Sequence, residues 1–202
     1  MDSLGLRERK KRQTRQALSW AALRLAVERG LDNVLVEDIA AEAGVSTRTF
    51  NNYFSSKAEA ISSRHLDRMR TVSDALRARP PDEPLWTALT HAALAPFEDD
   101  HPTPDADWQA GVKLMLSEPA LVGEFLRANA LADRELAAAI AERTGTDPKH
   151  DLYPRLVAAA VGAATNIANE HWLNADPPVS LTGLLRDALQ QVAAGLPPPP
   201  ST

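Results

Sequence analysis

Apolar residues recur along this chain at spacings of three and four, the period of an amphipathic helix, and the breaks between such runs carry glycine, proline and small polar residues. Leu18, Ala21, Ala22 and Leu25 form one stripe and predict a first helix over residues 6–29, closed by Gly30. Val36, Ile39, Ala40 and Ala43 share a face of a short second helix that stops at Gly44, a residue free to take the left-handed conformation of a tight turn. Ser46 can cap a third helix over residues 47–54, which ends at Ser55 and Ser56. Ser56 and Glu59 then read as a capping box for a fourth helix, with Lys57 in its first position.

Pro80, Pro81 and Pro84 end that fourth helix near residue 79, a break that reads as a seam between modules. Apolar periodicity resumes over 85–98, 105–116, 119–143, 151–173 and 181–194. No stretch alternates with β-branched enrichment, so the expected fold is all-α, with eight or nine helices and no internal repeat. Pro197–Pro200 suggest a frayed polyproline tail.

Composition adds to this picture by exclusion. The chain has 202 residues, 44% of them hydrophobic and 24% charged, which is enough to bury a core and ordinary for a globular protein. It has no cysteine, which removes disulfides, thiolate metal sites and thiol nucleophiles. The charged amino-terminal region has no apolar run behind it of signal-peptide or membrane-spanning length, so a cytoplasmic protein without a membrane partner is expected.

The net charge of −5 hides an asymmetry. Residues 1–57 hold 10 Lys or Arg against 7 Asp or Glu, and the remainder holds 12 against 20. Within the basic part, Arg7, Arg9, Lys10, Lys11, Arg12 and Arg15 are opposed only by Glu8. A charge run of this kind alone describes a solvated helix face. Its neighbours change the reading.

A short helix, a glycine turn and a second short helix form the geometry that places one helix in the major groove while the other braces it. On the third helix Thr47, Arg48, Asn51 and Asn52 fall on one polar arc, with Phe50, Tyr53 and Phe54 opposite. Arginine pairs bidentately with guanine and asparagine with adenine, so the arc holds side chains suited to base edges. Thr49, Tyr53 and Lys57 flank it as candidate phosphate contacts.

The run GLDNVLVEDIAAEAGVSTRTFNNYFSSK, from Gly30 to Lys57, resembles the DNA-binding domain of the tetracycline-repressor (TetR) family of regulators. Ile39, Ala40, Ala43, Gly44, Val45, Ser46, Thr49, Phe50, Tyr53, Phe54 and Lys57 stand at that family's spacing. The resemblance implies base contacts by Thr47, Arg48, Asn51 and Asn52, and phosphate contacts by Thr49, Tyr53, Lys57 and the start of the second helix. Three positions depart from the pattern. Leu35 stands where a capping Thr is common, Ala26 replaces a common aromatic, and Asn51 replaces a common Tyr. Residues 108–173 are similar to an actinobacterial subgroup that includes regulators associated with mycofactocin.

The resemblance implies a helix-turn-helix domain over 1–57, an effector-binding and dimerisation domain over 58–195 and a tail over 196–202. It also implies a homodimer on palindromic operator DNA, repression, and release by a small molecule. Trp86, Phe97, Trp108, Met115 and Phe125 are candidate walls of an apolar or aromatic effector site. Asn129, Asn166 and Asn169 interrupt apolar helices, and buried amides need partners in ligand, second subunit or water. No cofactor, metal or catalytic residue is expected. His65, His91, His101, His150 and His171 show no metal-ligand or nucleophile spacing, and His101 and His150 suit solvated or capping roles. An architectural DNA-coating protein is the alternative, and it has no need of a large acidic helical domain.

Overall fold

The computed structural model describes residues 3–97 and 106–198. Among these the chain forms nine α-helices and two 3₁₀ turns, with no strand. In order they are α1 (Ser3–Arg29), α2 (Val36–Glu42), α3 (Thr47–Asn51), α4 (Lys57–Ala78), α5 (Leu85–Leu94), α6 (Ala106–Ser117), α7 (Pro119–Thr144), α8 (Leu152–Asn174) and α9 (Leu181–Ala193). The 3₁₀ turns are Leu31–Asn33 and Ala95–Phe97. The expectation over 85–98 therefore resolves into α5 and a tightened turn. His101 and the proline tail beyond residue 198 lie outside the described residues.

Two compact units are formed, one from Met1–His65 with Ala106–Ala128 and the other from Leu66–Asp105 with Asn129–Thr202. The first is built on the stripe of α1. Leu18, Ala22, Leu25 and Ala26 are buried with Ile39, Phe50, Phe54 and Ile61. The small Ala26 is filled in by its neighbours and is only 1% exposed. A polar staple crosses this core: Ser19 Oγ donates to Ala60 O at 2.7 Å, and Ser63 Oγ donates to the same carbonyl at 2.8 Å. On α6, Gly111 lies so close to α1 that a Cβ there would stand 2.9 Å from Leu23 Cδ2.

In the second unit α9 packs on both α8 and α5, burying Leu89, Val161, Leu185 and Leu189. The proline-rich break read as a seam lies within this compact unit. Arg143, at the end of α7, donates to Pro80 O at 2.5 Å and Glu83 O at 2.6 Å, and Arg77 pairs with Glu142 at 2.8 Å. Proline ends the helix, and two carbonyls of the loop that follows are gathered by one guanidinium.

Glu83 closes the same corner. Its carboxylate accepts from Arg79 at 2.6 and 2.7 Å and meets His91 Nδ1 at 3.1 Å. The Arg79 hydrogen bonds, against some desolvation and with help from His91, hold its carboxyl down to about 2. A depressed carboxyl stabilises the fold above its unfolded value and loses that contribution as pH falls toward the folded one. Glu83→Gln should therefore lower the melting temperature at pH 7, and the gap to the parent should narrow between about pH 4 and the folded value. Thermal melts across that pH range check it, and a gap that does not change with pH contradicts this account.

Candidate nucleic-acid interface

The turn between α2 and α3 is set by two residues. Gly44 adopts φ +67°, Val45 N donates to Ala40 O at 2.9 Å and Gly44 N to Ala41 O at 3.0 Å, so the last carbonyls of α2 are satisfied as the chain reverses. Ser46 Oγ then accepts from Thr49 N at 3.1 Å and caps α3. At its other end α2 has no side-chain cap from Leu35, as its apolar nature dictates, but Asp38 accepts the Leu35 N–H at 3.2 Å. One half of a capping box survives without the other.

The third helix is shorter than the expected 47–54. After Asn51 the hydrogen bonds tighten, with Tyr53 N donating to Phe50 O at 2.8 Å. The chain is then drawn off by Glu59, which accepts from Ser55 N at 2.8 Å and Ser55 Oγ at 2.6 Å. The expected capping box is present in its Ser56 half, where Glu59 N donates to Ser56 Oγ at 3.0 Å, while its carboxylate reaches Ser55 instead of Ser56. Burial alone would raise the Glu59 carboxyl, but the Ser55 hydrogen bonds and the charges of Arg127 and Arg15 outweigh it and leave it lowered.

The two sides of α3 differ as the arc predicts. Phe50 and Phe54 are buried, with ring centroids 5.7 Å apart, and the Arg15 guanidinium lies 4.7 Å from the Phe54 ring centre. Arg48, Asn51 and Asn52 are exposed, and none of them makes a side-chain hydrogen bond or ion pair with another described residue. Their donors and acceptors are open to a partner. Thr47, Thr49 and Tyr53 are half-buried, and the Thr49 hydroxyl is shared with Ser46 at 2.9 Å.

Lys57 is occupied. Its ammonium donates to Leu31 O at 2.6 Å and Val34 O at 2.9 Å, which ties the first turn of α4 to the segment before α2. An ammonium has three donors, so one remains for a phosphate. Sequence reasoning did not find this clasp, because its acceptors are carbonyls 23 and 26 residues away.

The candidate effector residues do not gather in one unit. Met115 is buried in the first unit, where Phe125 packs at a tilt of 53° against the buried His65 with ring centroids 4.8 Å apart. Trp86, Phe97 and Asn129 are half-buried in the second, Asn166 is exposed, and the Asn169 amide donates back to Thr165 O at 2.9 Å. The side chain of Trp108 lies outside the described residues. The second unit also has a cleft of 810 Å³ lined by Ala130, Asp133, Ala137, Leu152, Leu156 and Ala159 among others, and none of the expected effector residues whose side chains are described borders it. Burial raises the Asp133 carboxyl there.

Comparison with known proteins agrees with this geometry. Residues 20–61 match the model of bacterial regulatory proteins of the tetR family, and residues 83–197 match that of the MftR C-terminal domain. The chain belongs to the TetR family. It is similar to the HTH-type transcriptional regulator TcmR of Streptomyces glaucescens, at 33% identity over 85% of this chain and 79% of that one. It is also 31% identical, over 93% of each chain, to a Mycobacterium tuberculosis protein named as the mycofactocin biosynthesis transcriptional regulator MftR. Its fold is like that of the fatty acid degradation regulator FadR from Bacillus halodurans, with TM-score 0.57 and 21% identity over 91% of this chain and 96% of that one. This TetR-family chain is thus a transcriptional regulator and not an enzyme, and the similarity of residues 108–173 to mycofactocin-associated regulators is matched by the C-terminal family model. No described helix is long and apolar enough to cross a membrane.

If the Lys57 clasp holds this TetR-type domain together, Lys57→Met should cost about 2 kcal/mol, the scale of charge-assisted hydrogen bonds to half-buried carbonyls. Arg48→Ala, on the open arc, should change stability by less than about 0.5 kcal/mol. Urea unfolding of both variants is the check. Equal stabilities would show that the clasp contributes nothing to folding.

Proposed function

We propose that the protein is a homodimeric repressor of a palindromic operator, released by a small apolar or aromatic effector. The observation that carries this reading is the open polar arc of α3, whose Arg48, Asn51 and Asn52 are exposed while Phe50 and Phe54 on the opposite side are buried. Thr47, Arg48, Asn51 and Asn52 approach base edges. Thr49, Tyr53 and the remaining donor of Lys57 hold phosphates. Residues 1–57 act as the DNA-binding domain and 58–195 as the sensing and dimerising one. Trp86, Phe97, Trp108, Met115, Phe125, Asn129, Asn166 and Asn169 are kept as the effector candidates, with Asn166 and Asn169 better suited to a subunit interface.

The homodimer is supported by α8. Leu152, Leu156, Ala159, Ala163 and Ile167 recur at helical spacing on an exposed face, and Leu152, Leu156 and Ile167 are 71%, 63% and 64% exposed. Three large aliphatic side chains in line on one helix face are costly to leave in water. A second copy covers them and presents two reading helices about one DNA turn apart. Effector release follows when the ligand favours a conformation in which those helices are misplaced, and linkage then requires the operator to weaken effector binding by the same factor.

Two outcomes test the reading. On an operator selected from genomic fragments, Arg48→Ala should cost roughly 1–3 kcal/mol and flatten preference at one base position per half-site, leaving affinity for scrambled duplex almost unchanged. Loss of affinity on both duplexes with base preference intact would make Arg48 a phosphate contact. Light scattering at micromolar concentration should give a dimer for the parent chain and a monomer for Ile167→Glu, because the substitution places like charges beside the shared face. A monomeric parent that binds a palindrome with full affinity rules the dimer out.

A further inference from the structure

The amino-terminal turns of α1 are the part of the first unit that its core does not use. Burial along α1 begins at Leu18, whereas residues 5–13 are exposed at every position. That stretch holds five cations, Arg7, Arg9, Lys10, Lys11 and Arg12, against the single acid Glu8. At 100° per residue the five are distributed around the whole helix axis, so no face is left to lie against protein. None of them makes an ion pair or side-chain hydrogen bond with another described residue.

This arrangement works against the helix that carries it. The first turn of α1 contains no acid. The cations that follow it, from Arg7 onward, therefore have only Glu8 beside them to offset their mutual repulsion. The helix persists because it continues from an anchored segment, where adding residues is far easier than nucleating. Water and salt screen such a run in part, and a polyanion adds the release of its own counterions.

The stretch belongs to the same unit as the reading helix α3, and that points to nucleic acid as the polyanion. Arg15, two residues beyond this stretch, lies over the ring of Phe54, which follows the end of α3 by three residues in the same unit. From there residues 5–13 reach about 14 Å at 1.5 Å per residue. That is the axial length of about four base pairs.

We propose that this overhang of α1 is a second nucleic-acid contact, a cationic rod that lies along the sugar–phosphate backbone outside the groove read by α3. It adds affinity and salt dependence without adding base preference, since charges spread around an axis meet phosphates at any sequence. The inference rests on the DNA-binding reading above.

The test uses the full chain, a variant with Arg7, Arg9, Lys10, Lys11 and Arg12 all replaced by Gln, and a control with Arg134, Lys149 and Arg155 replaced by Gln. Glutamine keeps helix propensity close to that of Lys and Arg, and matched melting temperatures establish that each variant is folded. Each is titrated on a scrambled duplex of about four helical turns over a salt series. For the overhang variant the plot of log affinity against log salt should become shallower by about 2 or more per protomer, because each neutralised phosphate contributes about 0.9. The control, which removes cations from the second unit, should leave that slope within about 1 of the parent. A slope unchanged in the overhang variant, or changed equally in the control, overturns the proposal. If the full replacement unfolds, the double variant Lys10→Gln/Lys11→Gln is read by the same criterion with half the expected change. Failure of the base-reading assignment looks different: there Arg48→Ala leaves base preference intact on the selected operator while the overhang variant still loses its salt slope.

Discussion

A helix of five residues closes barely more than one hydrogen-bonded turn, and no sequence makes so short a helix stable by itself in water. That α3 exists at all depends on Phe50 and Phe54, which are 0% and 2% exposed and pin its inner side to the first unit. Everything proposed for the outer side follows from this burial. Because the aromatic side chains fix the rotation of the helix about its axis, Arg48, Asn51 and Asn52 are left facing outward with their hydrogen-bonding capacity unspent. Ser46, Gly44 and the Glu59 carboxylate set where the helix begins and ends, but they act on a segment that packing has already placed.

Much of this was legible in the sequence, and the legible part is local. A left-handed glycine, a serine three residues before the N–H it caps and an apolar stripe at helical spacing are each decided within one or two turns. Gly44, Ser46 and the Leu18–Leu25 stripe accordingly appear where the pattern places them. The end of α3 falls earlier than the spacing predicts because two candidates compete for Ser55, the continuing helix and the Glu59 carboxylate that accepts from its N–H and hydroxyl, and spacing alone does not rank them. Nor does spacing reveal that the proline break lies inside the second unit, since Arg143 reaches it from 60 or more residues away.

The effector candidates show the same limit from the other side. An asparagine in an apolar helix is a sound signal only if its amide faces inward, and Asn169 instead satisfies itself on its own helix while Asn166 faces out. Periodicity assigns a residue to a face, but which face is covered depends on packing partners distant in sequence. Ser19, a buried polar side chain that sequence reading passed over, was hidden for that reason. Ser19 reads as a mild interruption of the α1 stripe, and only the Ala60 carbonyl on α4 explains it.

The division of labour across α3 has a practical consequence for re-engineering. Phe50 and Phe54 and the Lys57 clasp tie the inner side to the unit, whereas the side chains of Arg48, Asn51 and Asn52 bond no other described residue. The outward positions can therefore be varied together, as a library, with little penalty in folding. The domain is in this respect a socket into which other reading surfaces can be fitted.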